Sequence, residues 1–238
     1  MQEPAARLPV AGWSWTDGLL AVLAAHVVLI LGGSVVLVAG GWSGTDLPIT
    51  ATFAATVPFW LACGAAARWL VVRSGGSARE SLGLDLRPLE LLGGLVVGVA
   101  SQYLLIPLLY WPILRLLDQD TDDLEKVATK LAGSASGSLG TVLFLLMTCL
   151  CAPIAEELLY RGVLLRSQGW PGRATATAIG VVSVVFGASH FQALQFPGLA
   201  VFGLVLCLLT WRTGRIGAAV AAHVAFNAST AIPLVLHR

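Results

Sequence analysis

The stretch "APIAEELLYRG", residues 152–162, places two glutamates and an arginine inside a long apolar segment. The whole chain of 238 residues is 57% hydrophobic and only 11% charged, and its mean hydropathy is +0.83. A soluble domain carries about 25% charged residues. The composition therefore predicts an integral membrane protein, in which this stretch lies within a membrane helix.

A helix crosses the hydrocarbon core of a bilayer in about 20 residues. Apolar runs of about this length predict an all-α, polytopic membrane helix bundle of about seven transmembrane spans. The first run lacks the basic flank of a signal peptide, so we expect it to be retained. The predicted spans cover residues 18–41, 48–72, 89–111, 139–167, 174–191, 197–212 and 215–236.

Lysine and arginine accumulate in cytosolic loops, and this bias orients a membrane protein. A cytosolic N-terminus and an external C-terminus place nine of these residues on the cytosolic side and four outside. We therefore expect a multi-pass membrane protein with this orientation. The cytosolic set is Arg7, Arg68, Arg73, Arg79, Arg87, Arg166, Arg173, Arg212 and Arg215, and the external set is Arg115, Lys126, Lys130 and Arg238.

Several features argue against other classes of protein. The net charge of +1 and the lack of a basic run give no indication of a nucleic-acid partner. The four cysteines lie in apolar stretches, so no disulfide is expected. The polar segment 118–138 predicts an external loop with one or two amphipathic helical turns. Small residues, Gly94 with Gly98 and Gly214 with Ala218 and Ala222, indicate close helix packing.

A charge in the middle of a membrane costs several kcal/mol, so Glu156, Glu157 and Arg161 must face protein or a wet cavity. Glu157 and Arg161 are four residues apart on one helical face, a spacing that favours an ion pair. Glu156 is rotated by about 100° from Glu157 and has no local partner. The spacing predicts a structural role for Glu157 and leaves Glu156 available for chemistry.

Two later spans supply further polar side chains at a four-residue spacing, Phe186 with His190 and His223 with Asn227. A carboxylate and a histidine are the usual groups that activate water. A second histidine and an amide can donate hydrogen bonds to an oxyanion. Together with the glutamates, these residues predict a hydrolytic site shared by three helices.

The motifs EExxxR, FxxxH and HxxxN, in that order on successive apolar helices, resemble those of the CPBP family of intramembrane proteases, also called the ABI family. That family includes type II CAAX prenyl endopeptidases and bacterial proteins linked to bacteriocin self-protection. The resemblance divides the chain into N-terminal spans with the external loop, residues 1–138, and a catalytic core, residues 139–238.

The resemblance implies an intramembrane endopeptidase that cleaves a membrane protein or a lipidated peptide within the lipid bilayer. Its implied roles are Glu156 as the base that activates water, with help from His190, and His223 with Asn227 as the oxyanion hole. Glu157 and Arg161 would brace the site. Leu194 stands where the CAAX endopeptidases carry an asparagine, which argues against recognition of a prenyl group. Oligomeric state does not follow from the sequence.

Three alternatives remain open. Glu156, His190 and His223 are a possible ligand set for catalytic zinc. The HExxH signature is absent, however, and the favoured prediction is a site without a cofactor. A non-catalytic scaffold or immunity protein would keep the fold without hydrolysis. A proton-coupled transporter could also use these groups, but polar breaks in two repeated halves are absent.

Overall fold

A computed structural model describes residues 12–167 and 173–237. Within these ranges the chain forms helices and no strand, which confirms the all-α prediction. Arg7 and Arg238, used above to orient the bundle, lie outside the described residues, as does the side chain of Arg173. The helices are α1 (Trp15–Ala39), α2 (Ile49–Ser74), α3 (Ala78–Leu82), α4 (Pro88–Leu117), α5 (Thr121–Gly133), α6 (Gly137–Ser167), α7 (Arg173–Ala188), α8 (Phe196–Thr213) and α9 (Gly217–Leu236).

Six of these helices, α1, α2, α4, α6, α8 and α9, are long and apolar enough to cross a membrane. Only 17–33% of the residues in their most apolar windows are buried inside the protein. Exposed apolar surface on this scale needs an apolar environment, because monomeric soluble proteins rarely expose large contiguous apolar patches. The protein is therefore an integral multi-pass membrane protein.

The shorter helix α7 is the seventh crossing, as contacts between the loops show. On one side of the bundle, the backbone N–H of Ile49 donates to the carbonyl of Ser134, 3.3 Å away. On the same side, Gln195 Nε2 donates to the carbonyl of Leu124 on α5. On the opposite side, the N–H of Ile216 donates to the carbonyl of Gly83, 3.0 Å away. Because the α7–α8 loop lies with α5, the chain must cross between α6 and α8.

One sequence expectation needs correction, and one of the charges counted above is buried. The segment 118–138 contains α5, a helix of 13 residues or about 3.6 turns, instead of one or two turns. A capping box of Asp120 and Asp123 begins this helix. Arg166, counted among the cytosolic charges, is completely buried and donates to the carbonyl of Gly214. It therefore contributes to packing at the end of α6.

Gly94 and Gly98 of α4 face Ala218 and Ala222 of α9 and hold the two helices close together, whereas Gly214 caps α8. A Cβ atom at Gly94 would lie 2.3 Å from the carbonyl oxygen of Ala218, and one at Gly98 would lie 2.1 Å from that of Ala222. The two backbones approach so closely that only glycine fits at these points of α4. This packing confirms the predicted close contact and sets the position of His223, the next residue on α9.

Candidate active site

The two glutamates lie between irregular turns of α6. Residues Leu146–Cys151 and Leu158–Leu164 have π-helical hydrogen bonding on either side of Ala152–Glu157. Pro153 follows the first of these segments; a proline has no N–H and its ring clashes with the carbonyl four residues earlier, so widening the helix there relieves the conflict. π-helical turns are frequent at functional sites.

Glu157 is the centre of a buried network. Its Oε1 accepts hydrogen bonds from Arg161 Nη1 at 2.9 Å and from His223 Nδ1 at 2.8 Å. Arg161 Nη2 donates to the carbonyl of Gly203 on α8 at 3.0 Å, and the guanidinium lies 4.5 Å from the ring centroid of Phe186. Glu157 and Arg161 are completely buried. The predicted ion pair is therefore present, and it joins α6 to α7, α8 and α9.

Glu156 faces the two histidines instead. Its Oε2 lies 4.0 Å from His190 Nε2 and 3.9 Å from His223 Nε2. The Glu156 side chain is 15% exposed and that of His190 is 27% exposed, whereas His223 is 6% exposed. The site thus opens beside Glu156 and His190, and closes toward Arg161.

The hydrogen bonds of both imidazoles fix the same tautomer. Nδ1 of His190 lies 2.8 Å from the carbonyl oxygen of Phe186, and Nδ1 of His223 lies 2.8 Å from the carboxylate of Glu157. Both partners only accept, so each Nδ1 carries the proton. A neutral imidazole then presents the lone pair of Nε2 toward Glu156. Two proton acceptors therefore face one carboxylate, and a proton or a water molecule can lie between the carboxylate and either imidazole.

The position of His190 differs from the expectation. The sequence placed it on the fifth span, and a count along straight helices puts it roughly 7 Å deeper than Glu156. In the structure α7 ends at Ala188, and His190 lies in the following turn. There Ser189 Oγ donates to the carbonyl of Phe186 and accepts a hydrogen bond from Tyr160, each at 2.8 Å. The turn brings His190 to Glu156.

Asn227 lies on α9 one turn after His223, as the spacing predicts. Its Nδ2 donates to the carbonyl of Thr148 at 2.8 Å. Thr148 belongs to the first π-helical segment of α6. The amide nitrogen has a second N–H, for which the described part of the chain shows no hydrogen bond.

Sequence reasoning did not identify several residues that hold this site. Thr148 and Gly203 contribute through backbone carbonyls, which leave no trace in the choice of side chain. Ser189 gives a stronger signal, because it precedes His190 in the motif and its hydroxyl links that motif to Tyr160. From its place beside Arg161, Tyr160 is equally compatible with a hydrogen bond in the site and with helix packing.

The donor atoms around Glu156 are spaced more widely than the ligands of a bound zinc ion. Among the described residues, no group of three or more histidine, cysteine, aspartate or glutamate side chains could hold one. Tetrahedral zinc with bonds of about 2.0–2.2 Å places its ligand atoms about 3.3–3.6 Å apart. The two separations from Glu156 Oε2 to the Nε2 atoms, 3.9 and 4.0 Å, are wider.

Two cavities lie elsewhere, on either side of α5. One of about 560 Å³ is bounded by α4, α5 and α9, with Gln102 and Glu125 in its wall. The other, of about 710 Å³, lies between α5 and the α1–α2 loop. Neither is lined by any of the six predicted site residues. Glu156 and His190 are partly exposed, so the cluster is accessible beside them.

The C-terminal part of the chain matches a known protein family. Residues 138–229 match the family model described as type II CAAX prenyl endopeptidase Rce1-like. The match covers all six predicted site residues and agrees with the resemblance drawn from the motifs, which is confirmed at this level. A search of curated proteins and a search of solved structures found no match.

Proposed function

We propose that this protein, whose Rce1-like segment supports a CAAX-type intramembrane protease at the family level, hydrolyses a peptide bond with a water molecule activated by Glu156. The observation that carries the proposal is the convergence of two Nε2 atoms on Glu156 Oε2, at 4.0 and 3.9 Å, in a partly exposed site. A water bound there has a carboxylate and an imidazole within reach of its protons. Groups so arranged are the usual general bases of hydrolysis.

In the proposed reaction, the water oxygen attacks the carbonyl carbon of the peptide bond, and Glu156 takes the proton. The carbonyl oxygen becomes an oxyanion, toward which the second N–H of Asn227 can donate. The tetrahedral intermediate then collapses, the C–N bond breaks, and the proton passes from Glu156 to the leaving nitrogen. His190 shares the proton with Glu156.

His223 can donate to an oxyanion in only one of its protonation states. Its Nδ1–H donates to Glu157, so a neutral ring has no proton on Nε2 for an oxyanion. A protonated His223 has one. We therefore propose that His223 donates to the oxyanion as an imidazolium.

The proposed substrate is a membrane-associated or lipidated peptide, since a site within membrane helices meets its substrate in the bilayer. Leu194, in place of the asparagine of the CAAX endopeptidases, leaves prenyl recognition outside the proposal. We further propose a bacterial cell membrane with the N-terminus in the cytosol. The arginine and lysine asymmetry supports the orientation.

The decisive experiment measures hydrolysis of a defined panel of lipidated and unmodified peptides by the protein in nanodiscs. Glu156→Gln keeps the shape of the side chain and removes the base, so it should abolish turnover. Glu80→Gln, at an exposed glutamate away from the site, is the matched control and should retain it.

The same preparation separates the alternatives. A strong chelator should leave the wild type active, and elemental analysis should find no stoichiometric metal. Stoichiometric zinc that disappears in His190→Ala would overturn the metal-free mechanism. Absence of hydrolysis across the panel would favour a scaffold or a transporter.

A further inference from the structure

The turn after α7 contains an aromatic residue in an unfavourable backbone conformation. Phe191 has φ = 54°, in the left-handed region, and its side chain is 83% exposed. Among the described residues, the only other non-glycine residue with positive φ is Asp118. Aspartate tolerates this conformation comparatively well, whereas a bulky residue does not. Glycine would satisfy the backbone at position 191 with less strain.

The surroundings force this conformation from both sides. Before Phe191, Ser189 is bonded to Tyr160 of α6 at 2.8 Å. After it, the carbonyl of Leu194 accepts a hydrogen bond from the buried hydroxyl of Tyr110 on α4 at 2.7 Å. Gln195 is held by α5. Strained residues persist when such anchors over-determine them, and they cluster at functional sites.

Phe191 directly follows His190, a partly exposed member of the cluster. Neighbouring Cα atoms are about 3.8 Å apart. His190 and Glu156 are the two partly exposed members of the cluster, so the open side of the site lies next to this residue. Since glycine would suit the backbone better, the contribution of phenylalanine at this position is its ring.

We propose that Phe191 is a specificity-determining residue whose ring contacts an apolar side chain of the substrate beside the scissile bond. The inference rests on the proposed function, because it takes Glu156 as the place where the scissile carbonyl lies. The exposed ring then forms an apolar wall beside that carbonyl, and a leucine-sized side chain of a membrane-embedded peptide packs against it. A ring that merely contacted lipid would not distinguish one substrate side chain from another.

The test is a double-mutant cycle between the ring and the substrate. Its probes are a parent peptide of the panel with several leucines and a series in which one leucine at a time is alanine. Affinity is measured in the Glu156→Gln background, where no cleavage occurs, and kcat/KM is measured with active protein. For one position of the series, Leu→Ala should weaken binding about ten-fold with Phe191 present, the range of a lost apolar contact.

The Phe191→Gly variant should lose the preference for leucine over alanine at that peptide position. It should melt at or above the wild-type temperature because the backbone strain is relieved. Phe191→Leu should keep part of the preference. Asp118→Gly is the matched control: it relieves the other positive-φ position and should leave affinity and kcat/KM unchanged.

The results separate the two proposals. An equal preference in Phe191→Gly and the wild type, or an equal loss of affinity for every peptide, would overturn the role of Phe191. A ring-dependent preference in binding without any cleavage by the wild type would support the Phe191 contact and refute hydrolysis.

Discussion

Removal of the Glu157 carboxylate should destabilise the protein more than removal of its arginine partner. Glu157 accepts hydrogen bonds from both Arg161 and His223 and is completely buried. Glu157→Leu leaves both donors without that acceptor. Breaking a buried ion pair costs about 3–5 kcal/mol, and an unsatisfied buried donor adds about 1–3 kcal/mol. Arg161→Met should cost about the first amount, because the hydrogen bond from His223 to Glu157 remains.

Thermal unfolding in detergent, followed by tryptophan fluorescence, measures these differences. In a chain of this length each kcal/mol shifts the melting temperature by about 2–4 °C, so Glu157→Leu should melt at least about 8 °C below the wild type. Arg161→Met should fall between the two. Lys130→Met breaks the exposed Lys130–Asp46 pair and should melt close to the wild type.

The double variant Glu157→Leu with Arg161→Met sharpens the test. It removes both buried charges and leaves the His223 donor and the Gly203 carbonyl without these partners. It should be more stable than Glu157→Leu alone, which keeps a buried guanidinium without its carboxylate. If Glu157→Leu melts with the wild type, or if the double variant loses the sum of the two single losses, the ionic network is not what holds these helices together.

Further predictions concern catalysis and topology. Tyr160→Phe removes the hydrogen bond to Ser189 and should lower kcat on the order of 10- to 100-fold, because the turn that carries His190 is misplaced. The loss of stability should be only ~1 kcal/mol. If melting assays show a loss of stability while turnover is unchanged, this prediction is refuted. Asn227→Ala should lower kcat on the order of 100- to 1000-fold while peptide affinity stays nearly constant; an equal loss of affinity would refute an oxyanion role. Cysteine at exposed Ser138 should react with an impermeant maleimide only from outside, and cysteine at Leu86 only from the cytosol; the reverse pattern would invert the orientation.

The sequence predicted those parts of the site that depend on local spacing. Glu157 and Arg161 are four residues apart on one helix, and this spacing alone brings them together. Gly94 and Gly98 likewise face one direction because they lie four apart. Such pairs depend on the geometry of a single helix, which a sequence pattern reports well. The number of spans followed in the same way from the length of the apolar runs.

The remaining contacts depend on how helices rotate against each other, which periodicity does not report. The bond from His223 to Glu157 joins residues 66 positions apart. π-helical turns before and after the glutamates rotate the following side chains around the helix axis. A 3.6-residue period therefore predicts the wrong direction for the residues after each turn. The end of α7 before His190 is a further tertiary effect, held by Tyr160 from another helix.

The different roles proposed for the two adjacent glutamates follow from one helical step. A rotation of about 100° turns Glu157 toward Arg161 and His223 in the interior, and turns Glu156 toward the open side with His190. The guanidinium compensates the charge of Glu157. Among the described residues, the ionisable side chains within 4.0 Å of the Glu156 carboxylate are the two imidazoles, so Glu156 has no guanidinium at contact distance. A carboxylate without such a fixed counter-ion can exchange protons with a bound water more readily than one paired with a guanidinium. This contrast is the physical reason for assigning the chemistry to Glu156 and the bracing to Glu157.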